Sequence, residues 1–290
     1  MRESYRGAFY LSAAASIWGG MYVASKYAMA SIPPFTLLFV RYVLAAIFLV
    51  AWCRYAKVDI VPRKNKFTMF QIGFLGYFLS VGCQFIGTSL SSAHMGSAIT
   101  TLSPIFQSIF AVIILKEAAT VRQTAAIVLS FIGVVIITDT VDIIRTSSLN
   151  IGNLFLLAAA ALWGYYSVLS KKVSSEHPIL QITTWGIIVA AVFAFPAALL
   201  ELGSWDPSVF GNGAVLFSIF YIVLISTVTA FYCWNKGLAL LNSHQAGLFM
   251  FLQAVVGSVL GYLLLGEHLS LSFITGTVFI LSAVYLSISR

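Results

Sequence analysis

Two basic side chains lie inside apolar segments, where a positive charge could hold an anionic group of a bound molecule. Lys26 stands near the end of the first segment, and Arg41 follows Pro34 by seven residues, about 10 Å along a helix that rises 1.5 Å per residue. The sequence places no acidic partner near either. A cation in this setting binds an anion such as a carboxylate, or else Lys26 snorkels to the interface and Arg41 bonds to carbonyls of a neighbouring helix end. Both interpretations remain open.

Uncharged polar residues recur at helical spacing in the third apolar segment and in the fourth, and large amphipathic rings occur in several others. Such faces could line a solute-binding cavity. The alternative is that small polar residues serve helix packing and aromatic residues form belts at the interface. The candidate substrate-binding residues are Trp18, Tyr22, Lys26, Arg41, Tyr77, Ser80, Gln84, Thr101, Trp163, Tyr166, Trp185, Thr229 and Trp234.

Several kinds of enzyme chemistry are missing from the sequence. No apolar segment contains Asp or Glu in its interior, and the chain has no H-E-x-x-H, G-x-S-x-G or phosphate-binding glycine loop. The three cysteines lie within or at the end of apolar stretches, where they act as small hydrophobes. We therefore expect no enzyme activity, no cofactor and no metal site. The lack of a buried carboxylate also disfavours a proton relay.

The elements that must position these residues are membrane helices. Hydrophobic residues make up 60% of the chain, charged residues 9%, and the mean hydropathy is +0.97. A bilayer requires about 20 apolar residues per helix, so we predict an all-α integral membrane protein with ten transmembrane helices. The apolar segments are 7–30, 35–56, 68–90, 95–115, 121–138, 151–170, 179–200, 215–240, 245–265 and 271–288.

The two halves of the chain repeat each other. The recurring residues are Trp18, Lys26 and Pro33 with Trp163, Lys171 and Pro178 at a spacing of 145, and Gly87, Leu102 and Glu117 with Gly237, Leu252 and Glu267 at a spacing of 150. The turn-rich stretch 201–213 accounts for the added residues. Because each half has five segments, the second half must be inverted relative to the first. We predict repeats at 1–138 and 151–290, joined by a linker at 139–150 on the outer side.

Two residues break the repeat. The counterpart of Arg41 is Gly186, so the fold does not require this charge twice, which favours a functional role for Arg41. The counterpart of Pro104 is Ala254. We expect Pro104 to kink the fourth helix and act as a hinge, since nearby hydroxyl groups could satisfy the freed backbone groups.

Basic residues cluster at every second connection between the apolar segments. By the positive-inside rule, this distribution predicts that the N- and C-termini are cytoplasmic. The net charge of +7 therefore indicates topology and not nucleic-acid binding. Thr120 and Gln123 predict a capping box for the fifth helix. The nearby Glu117, and Glu267 by its repeat relation, are interpreted as interfacial charges.

A longer pattern is similar to a known family. Trp18-Gly19 followed by Lys26, Pro33 and Arg41, the run from Leu102-Ser103-Pro104 to Lys116-Glu117, and its echo at Leu265-Gly266-Glu267 resemble the EamA-type drug/metabolite transporter superfamily over essentially the whole chain. The resemblance implies two inverted five-helix halves, a cavity enclosed by helices one to four and six to nine, and peripheral fifth and tenth helices. Ala254 departs from the pattern of proline in both halves, so a kink in the ninth helix stays open.

These features together predict a secondary transporter in the bacterial inner membrane. We expect it to move small amphipathic organic solutes, amino acids or related metabolites and drugs, mainly outward by alternating access, as a monomer or weak homodimer in the lipid bilayer. A sugar-phosphate or nucleotide-sugar exchanger, a membrane scaffold without a substrate and a channel remain as alternatives.

Overall fold

The computed structural model describes residues 2–91, 96, 99–137, 151–265 and 271–288, and every regular element within these ranges is helical. Five of the described helices are long and apolar enough to cross a membrane, namely Pro34–Tyr55, Lys66–Leu90, Ile151–Val173, Ile179–Leu200 and Gly213–Leu240. The predicted linker 139–150 and Glu267 lie outside the described residues. The helices are α1 Arg2–Met29, α2 Pro34–Tyr55, α3 Lys66–Leu90, α4 Ser103–Leu115, α5 Val121–Ile137, α6 Ile151–Val173, α7 Ile179–Leu200, α8 Gly213–Leu240, α9 243–265 and α10 Leu271–Ile288.

The start of α2 is held by a carboxylate from the other half of the chain. Pro34 occupies the first turn, where a missing N–H costs nothing. Glu201, at the end of α7, accepts hydrogen bonds from the Phe35 N–H at 3.1 Å and from the Thr36 N–H at 2.6 Å. A carboxylate at this position also complements the positive end of the helix dipole. Glu201 thus ties α7 to the beginning of α2.

The capping box predicted for α5 is confirmed. The Thr120 N–H donates to Gln123 Oε1 at 3.0 Å, and the Gln123 N–H donates to Thr120 Oγ1 at 3.2 Å. This reciprocal pair satisfies two N–H groups that the first turn of the helix cannot satisfy.

Three of the described helices contain π-helical turns, α4 at Ala111–Leu115 and the two equivalent helices α3 and α8. In α3 they span Ile72–Leu79 and in α8 Tyr221–Thr229, positions that correspond at a spacing of about 150 residues. A π-helical turn inserts an extra residue and rotates the following side chains around the helix axis. In α8 the Thr227 hydroxyl consequently donates to the Ile222 carbonyl, five residues back, at 2.6 Å. The π-helical stretches of α3 and α8 end beside the centre of the bundle.

The fourth helix is interrupted next to Pro104. Thr101 and Leu102 form a turn, and the regular part of α4 begins at Ser103. In α9 a 3₁₀ turn, Phe249–Phe251, lies at the corresponding place although Ala254 replaces the proline. Both helices therefore depart from regular α-helix at the same point of the repeat.

Helix packing follows the repeat. Helix α1 packs on α8 and α9, α6 packs on α3 and α4, α2 packs on α7, and α5 packs on α10. Exchanging each helix for the one five places along maps these pairs onto one another. The α5–α10 pair is close, since a Cβ added to Gly133 would lie 2.7 Å from the Gly276 oxygen. Its apolar cluster with α9 is separate from the main core, so the centre of the bundle is formed by the other eight helices.

Candidate functional site

A small cavity lined by buried residues lies in the centre of the bundle and takes residues from both halves of the chain. The space within it that is open to the centre of a water molecule is about 20 Å³. One water requires roughly 10–15 Å³ by this measure, so the walls are nearly in contact. The lining residues are Trp18, Met21, Tyr22, Arg41, Ser80, Val81, Gln84, Thr100, Ala159, Trp163, Phe231, Met250 and Gln253.

One wall is aromatic. The rings of Trp18 and Trp163, which are counterparts in the repeat, meet edge to face at 5.0 Å, and Phe231 lies 5.5 Å from the first and 5.6 Å from the second. Trp18 Nε1 donates to the Ser226 carbonyl at 3.0 Å. Trp163 Nε1 is buried without a hydrogen-bond partner among the described residues. The wall therefore offers apolar surface and one spare N–H donor.

Arg41 supplies a buried positive charge. Its side chain is only 1% exposed, Nε donates to Thr227 Oγ1 at 2.5 Å, and Nη1 contacts Met21 Sδ at 3.4 Å. Because the Thr227 hydroxyl donates to Ile222, it has a lone pair free to accept from Arg41. The described residues provide no carboxylate for this guanidinium. The guanidinium carbon, Cζ of Arg41, lies 5.4–5.8 Å from the ring centres of Tyr42, Phe85 and Phe231.

A second wall of the cavity is polar and joins α1 to α9. The Tyr22 hydroxyl is 2.5 Å from Thr100 Oγ1, and Gln253 Nε2 donates to both, at 3.2 and 3.3 Å. Ser80 Oγ donates to a backbone carbonyl of α6 at 2.9 Å. Gln84 makes no hydrogen bond to the described residues. Its amide could donate to a ligand or accept from one.

A second polar cluster, the Asn235 network, lies beside the cavity without lining it. Asn235 Oδ1 accepts from Tyr166 Oη and from Ser170 Oγ, both at 2.7 Å. Its Nδ2 donates to Tyr77 Oη at 2.8 Å and to Thr183 Oγ1 at 2.9 Å. The amide therefore makes all four of its hydrogen bonds. The network joins α3, α6, α7 and α8.

Lys26, a candidate substrate-binding residue from the sequence, is not among the residues that line the cavity. Its ammonium donates to the Thr88 carbonyl at 3.0 Å and to the Ser91 carbonyl at 3.2 Å. The counterpart Lys171 bonds to the carbonyls of Leu238 and Leu241, which correspond to Thr88 and Ser91 at a spacing of 150. Each lysine thus satisfies carbonyls at the end of a helix. The repetition indicates a structural role.

Six of the thirteen predicted residues line the cavity, namely Trp18, Tyr22, Arg41, Ser80, Gln84 and Trp163. Thr101 is buried but does not line the cavity, and the preceding residue, Thr100, lines it instead. Thr229 is exposed and donates to the Leu224 carbonyl, because the π-helical turns rotate it away and leave Thr227 facing Arg41. Trp185 packs against the main core instead.

Trp234 lies behind Trp18, with ring centres 5.4 Å apart, and its Nε1 donates to Ser167 Oγ at 3.3 Å. It packs against the aromatic wall on the side away from the cavity. Tyr77 and Tyr166 belong to the Asn235 network. These three side chains therefore support the cavity and do not form its surface.

Several residues that line the cavity, including Phe231, Met250 and Gln253, are not among those predicted from the sequence. Only Gln253 carried a signal, as a polar residue well inside an apolar segment. Phe231 and Met250 cannot be told from ordinary core residues without knowing which face of α8 and α9 points to the centre.

Comparison with known proteins places the chain in a family. The model of the EamA-like transporter family matches twice, at residues 5–139 and 150–289. An uncharacterized transporter of Archaeoglobus fulgidus is 24% identical over 276 residues, which cover 94% of each chain. A probable amino-acid metabolite efflux pump of Salmonella typhimurium is 22% identical over 287 residues, 94% of this chain and 91% of the relative.

A solved crystal structure has the same fold, with a TM-score of 0.80 at 17% identity over 97% of this chain and 95% of the other. The double match of the family model covers nearly the whole sequence and shows two repeats. The chain therefore belongs to the EamA-like transporter family, as a multi-pass membrane transporter and not an enzyme.

Proposed function

We propose that this transporter exports small amphipathic organic solutes, amino acids or related metabolites, by alternating access through the central cavity. The observation that carries the proposal is the position of the cavity between the two repeats, with Trp18 and Trp163 contributed as equivalent residues by the two halves. Aromatic rings hold the apolar part of a solute, and the polar wall orients its polar groups. The Salmonella relative named as an efflux pump supports the outward direction.

The proposed topology has ten transmembrane helices in two inverted five-helix repeats, 1–138 and 151–290, with the linker at 139–150 outside and both termini in the cytoplasm. The symmetric packing of α1 on α8 and α9 and of α6 on α3 and α4 supports this arrangement. The distribution of Lys and Arg supports the orientation in the inner membrane. The breaks beside Pro104 and at Phe249–Phe251 are the proposed hinges.

Transport requires the buried cavity to open at each end in turn. At the Lys171 end, Glu117 lies 3.6 Å from the Lys171 ammonium and accepts from the Ser243 N–H at 2.9 Å. His244 Nδ1 lies 3.0 Å from Ser108 Oγ. These contacts join α4, α6 and α9 and must break when that end opens. They form the proposed gate, which faces the cytoplasm in the proposed topology.

The packing and charge of the cavity favour this function over its alternatives. A membrane scaffold could use a small residue such as Gly257 for close packing against a partner helix. Here Gly257 packs against α1 of the same chain, because a Cβ added to Gly19 would lie 3.0 Å from the Gly257 nitrogen. Arg41 is the one basic side chain that lines the described cavity, whereas a doubly charged phosphate calls for several. The described lining also contains no carboxylate to carry protons. We therefore propose a facilitator, whose flux does not depend on an imposed pH gradient.

The test is uptake of radiolabelled amino acids and related metabolites into liposomes that contain the purified protein. Saturable uptake that falls at least about tenfold in Trp163→Ala would support the proposal. A tenfold loss of solute affinity corresponds to about 1.4 kcal/mol of binding free energy. Trp52→Ala, the same substitution on an exposed face of α2, should keep the parental flux. Uptake equal to that of empty liposomes across the whole panel would contradict the proposal.

A further inference from the structure

We propose that the cavity selects monocarboxylate anions with an apolar or aromatic body over the corresponding zwitterionic amino acids, with Arg41 holding the carboxylate. This inference rests on the proposed function and narrows its substrate class. It would make the preferred substrates organic acids that lack a free amino group, such as deaminated or N-acylated relatives of hydrophobic amino acids.

The charge balance of the cavity carries the inference. Arg41 is 1% exposed and faces no acidic group of the described residues. All six acidic residues in the described part of the chain lie at helix ends or in connections, and the other three, Asp139, Asp142 and Glu267, lie outside it. An unpaired charge in a buried, desolvated site is strongly unfavourable. A monoanion brings the site to neutrality, whereas a zwitterion leaves it with a net positive charge.

The unused hydrogen-bonding groups have the same bias. Arg41 uses Nε for Thr227 and Nη1 for a weak contact with Met21, and its remaining N–H groups have no partner among the described residues. Trp163 Nε1 is also unpartnered. These are donors, which suit the oxygens of a carboxylate, and a guanidinium can hold a carboxylate through two parallel bonds. The amide groups of Gln84 and Gln253 are neutral and could only weakly offset an ammonium.

The surroundings of Arg41 fit the rest of such a molecule. Phe231 lies beneath the guanidinium carbon at 5.5 Å and also contacts Trp18 and Trp163. One ring therefore connects the charged part of the cavity to its aromatic wall. A short linker between carboxylate and hydrocarbon would allow both contacts at once. Thr227 fixes the orientation of the guanidinium through Nε and leaves its outer N–H groups free.

The experiment compares matched ligands by isothermal titration of the purified protein. One set is 3-phenylpropionate, phenylalanine and 2-phenylethylamine, and the second is 4-methylpentanoate, leucine and isopentylamine. Within each set the body is the same and only the charged groups differ. We expect the carboxylate to bind about tenfold or more tightly than the amino acid, and the amine to bind most weakly.

Three variants of the protein assign the effect. Arg41→Met should abolish the advantage of the carboxylate, and Arg41→Lys should retain part of it, because a lysine keeps the charge and loses the paired geometry. Thr227→Val keeps the charge, removes the Nε partner and should weaken carboxylate binding several-fold. Arg54→Gln, an exposed arginine on the same helix, should match the parent.

Equal or tighter binding of the amino acid or the amine would overturn the inference, as would an unchanged carboxylate preference in Arg41→Met. Binding of none of the six would overturn it too. Liposome flux then separates the two proposals. Saturable flux of an amino acid without a carboxylate preference removes the inference and leaves the proposed function standing. Lack of saturable flux for amino acids, related metabolites and carboxylates alike removes both.

Discussion

The region around Arg41 and the region around Asn235 occupy equivalent places in the two repeats, yet they contain different chemistry. At spacings of 145 and 150, Arg41 corresponds to Gly186, Thr227 to Tyr77, Met21 to Tyr166 and Phe85 to Asn235. The Asn235 network satisfies every donor and acceptor of its amide. The Arg41 region leaves a buried cation with spare N–H groups.

The difference arises from an exchange of side-chain size between helices. In one region Arg41 extends from α2 to the small Thr227 of α8. In the other, Tyr77 of α3 fills the equivalent space and lies directly against Gly186 of α7, where an added Cβ would be 2.5 Å from the Tyr77 ring. A fully bonded buried network makes one packing rigid and specific. A buried charged group with unmet hydrogen bonds is unfavourable until a ligand completes them, so the two regions contrast a structural site with the proposed binding site.

The comparison predicts its largest loss of stability for Asn235→Leu. The substitution removes four hydrogen bonds. Side-chain hydrogen bonds between transmembrane helices average about 0.6 kcal/mol each, so we expect a loss of about 2–3 kcal/mol. Equilibrium unfolding in mixed micelles measures it. Thr229→Val, which removes an exposed hydroxyl bonded within its own helix, is the control. A loss no larger than the control would mean that the network is not structural.

Gly186→Ala sharpens the comparison by adding one methyl group where Tyr77 packs. The ring belongs to the Asn235 network and cannot move without disturbing it. Overpacking of this kind costs about 1–2 kcal/mol. Gly213→Ala, whose added Cβ meets no atom within 4 Å, should change the free energy of unfolding little in the same assay. Equal effects of the two substitutions would contradict the proposed exchange of size.

The two lysines provide a pair in which the repeats agree. Lys26 and Lys171 bond to corresponding carbonyls at helix ends. We therefore expect Lys26→Met and Lys171→Met each to lower the free energy of unfolding by about 1 kcal/mol. Lys172→Met, at an exposed neighbouring position, is the control. Loss of solute binding in Lys26→Met without any loss of stability would show that Lys26 belongs to the proposed binding site and contradict its structural role.

Much of this architecture follows from the sequence because membrane helices are recognisable as long segments of apolar residues. The apolar segments, the repeat and the capping box at Thr120 need only local information. The carboxylate of Glu201 at the start of α2 was not predicted, because it crosses from one half to the other.

The lining of the candidate site follows less completely from the sequence, for a geometric reason. Helical spacing gives the members of a face but not the direction in which the face points. In α8 the π-helical turns rotate the chain, so that Thr227 and not Thr229 meets Arg41. For Lys26 the sequence leaves two interpretations open, because a charge inside an apolar segment has the same pattern whether its partner is a solute or the carbonyls of a helix end.

The most direct test of the account is Arg41→Met, with stability and ligand binding measured on the same preparation. Replacing an unpaired buried charge by an apolar side chain of similar length should leave the free energy of unfolding unchanged or raise it, because the desolvation penalty is removed. Saturable carboxylate binding should be lost at the same time. A protein as destabilised as Asn235→Leu that still binds carboxylates like the parent would show that Arg41 is a structural residue and would contradict the account.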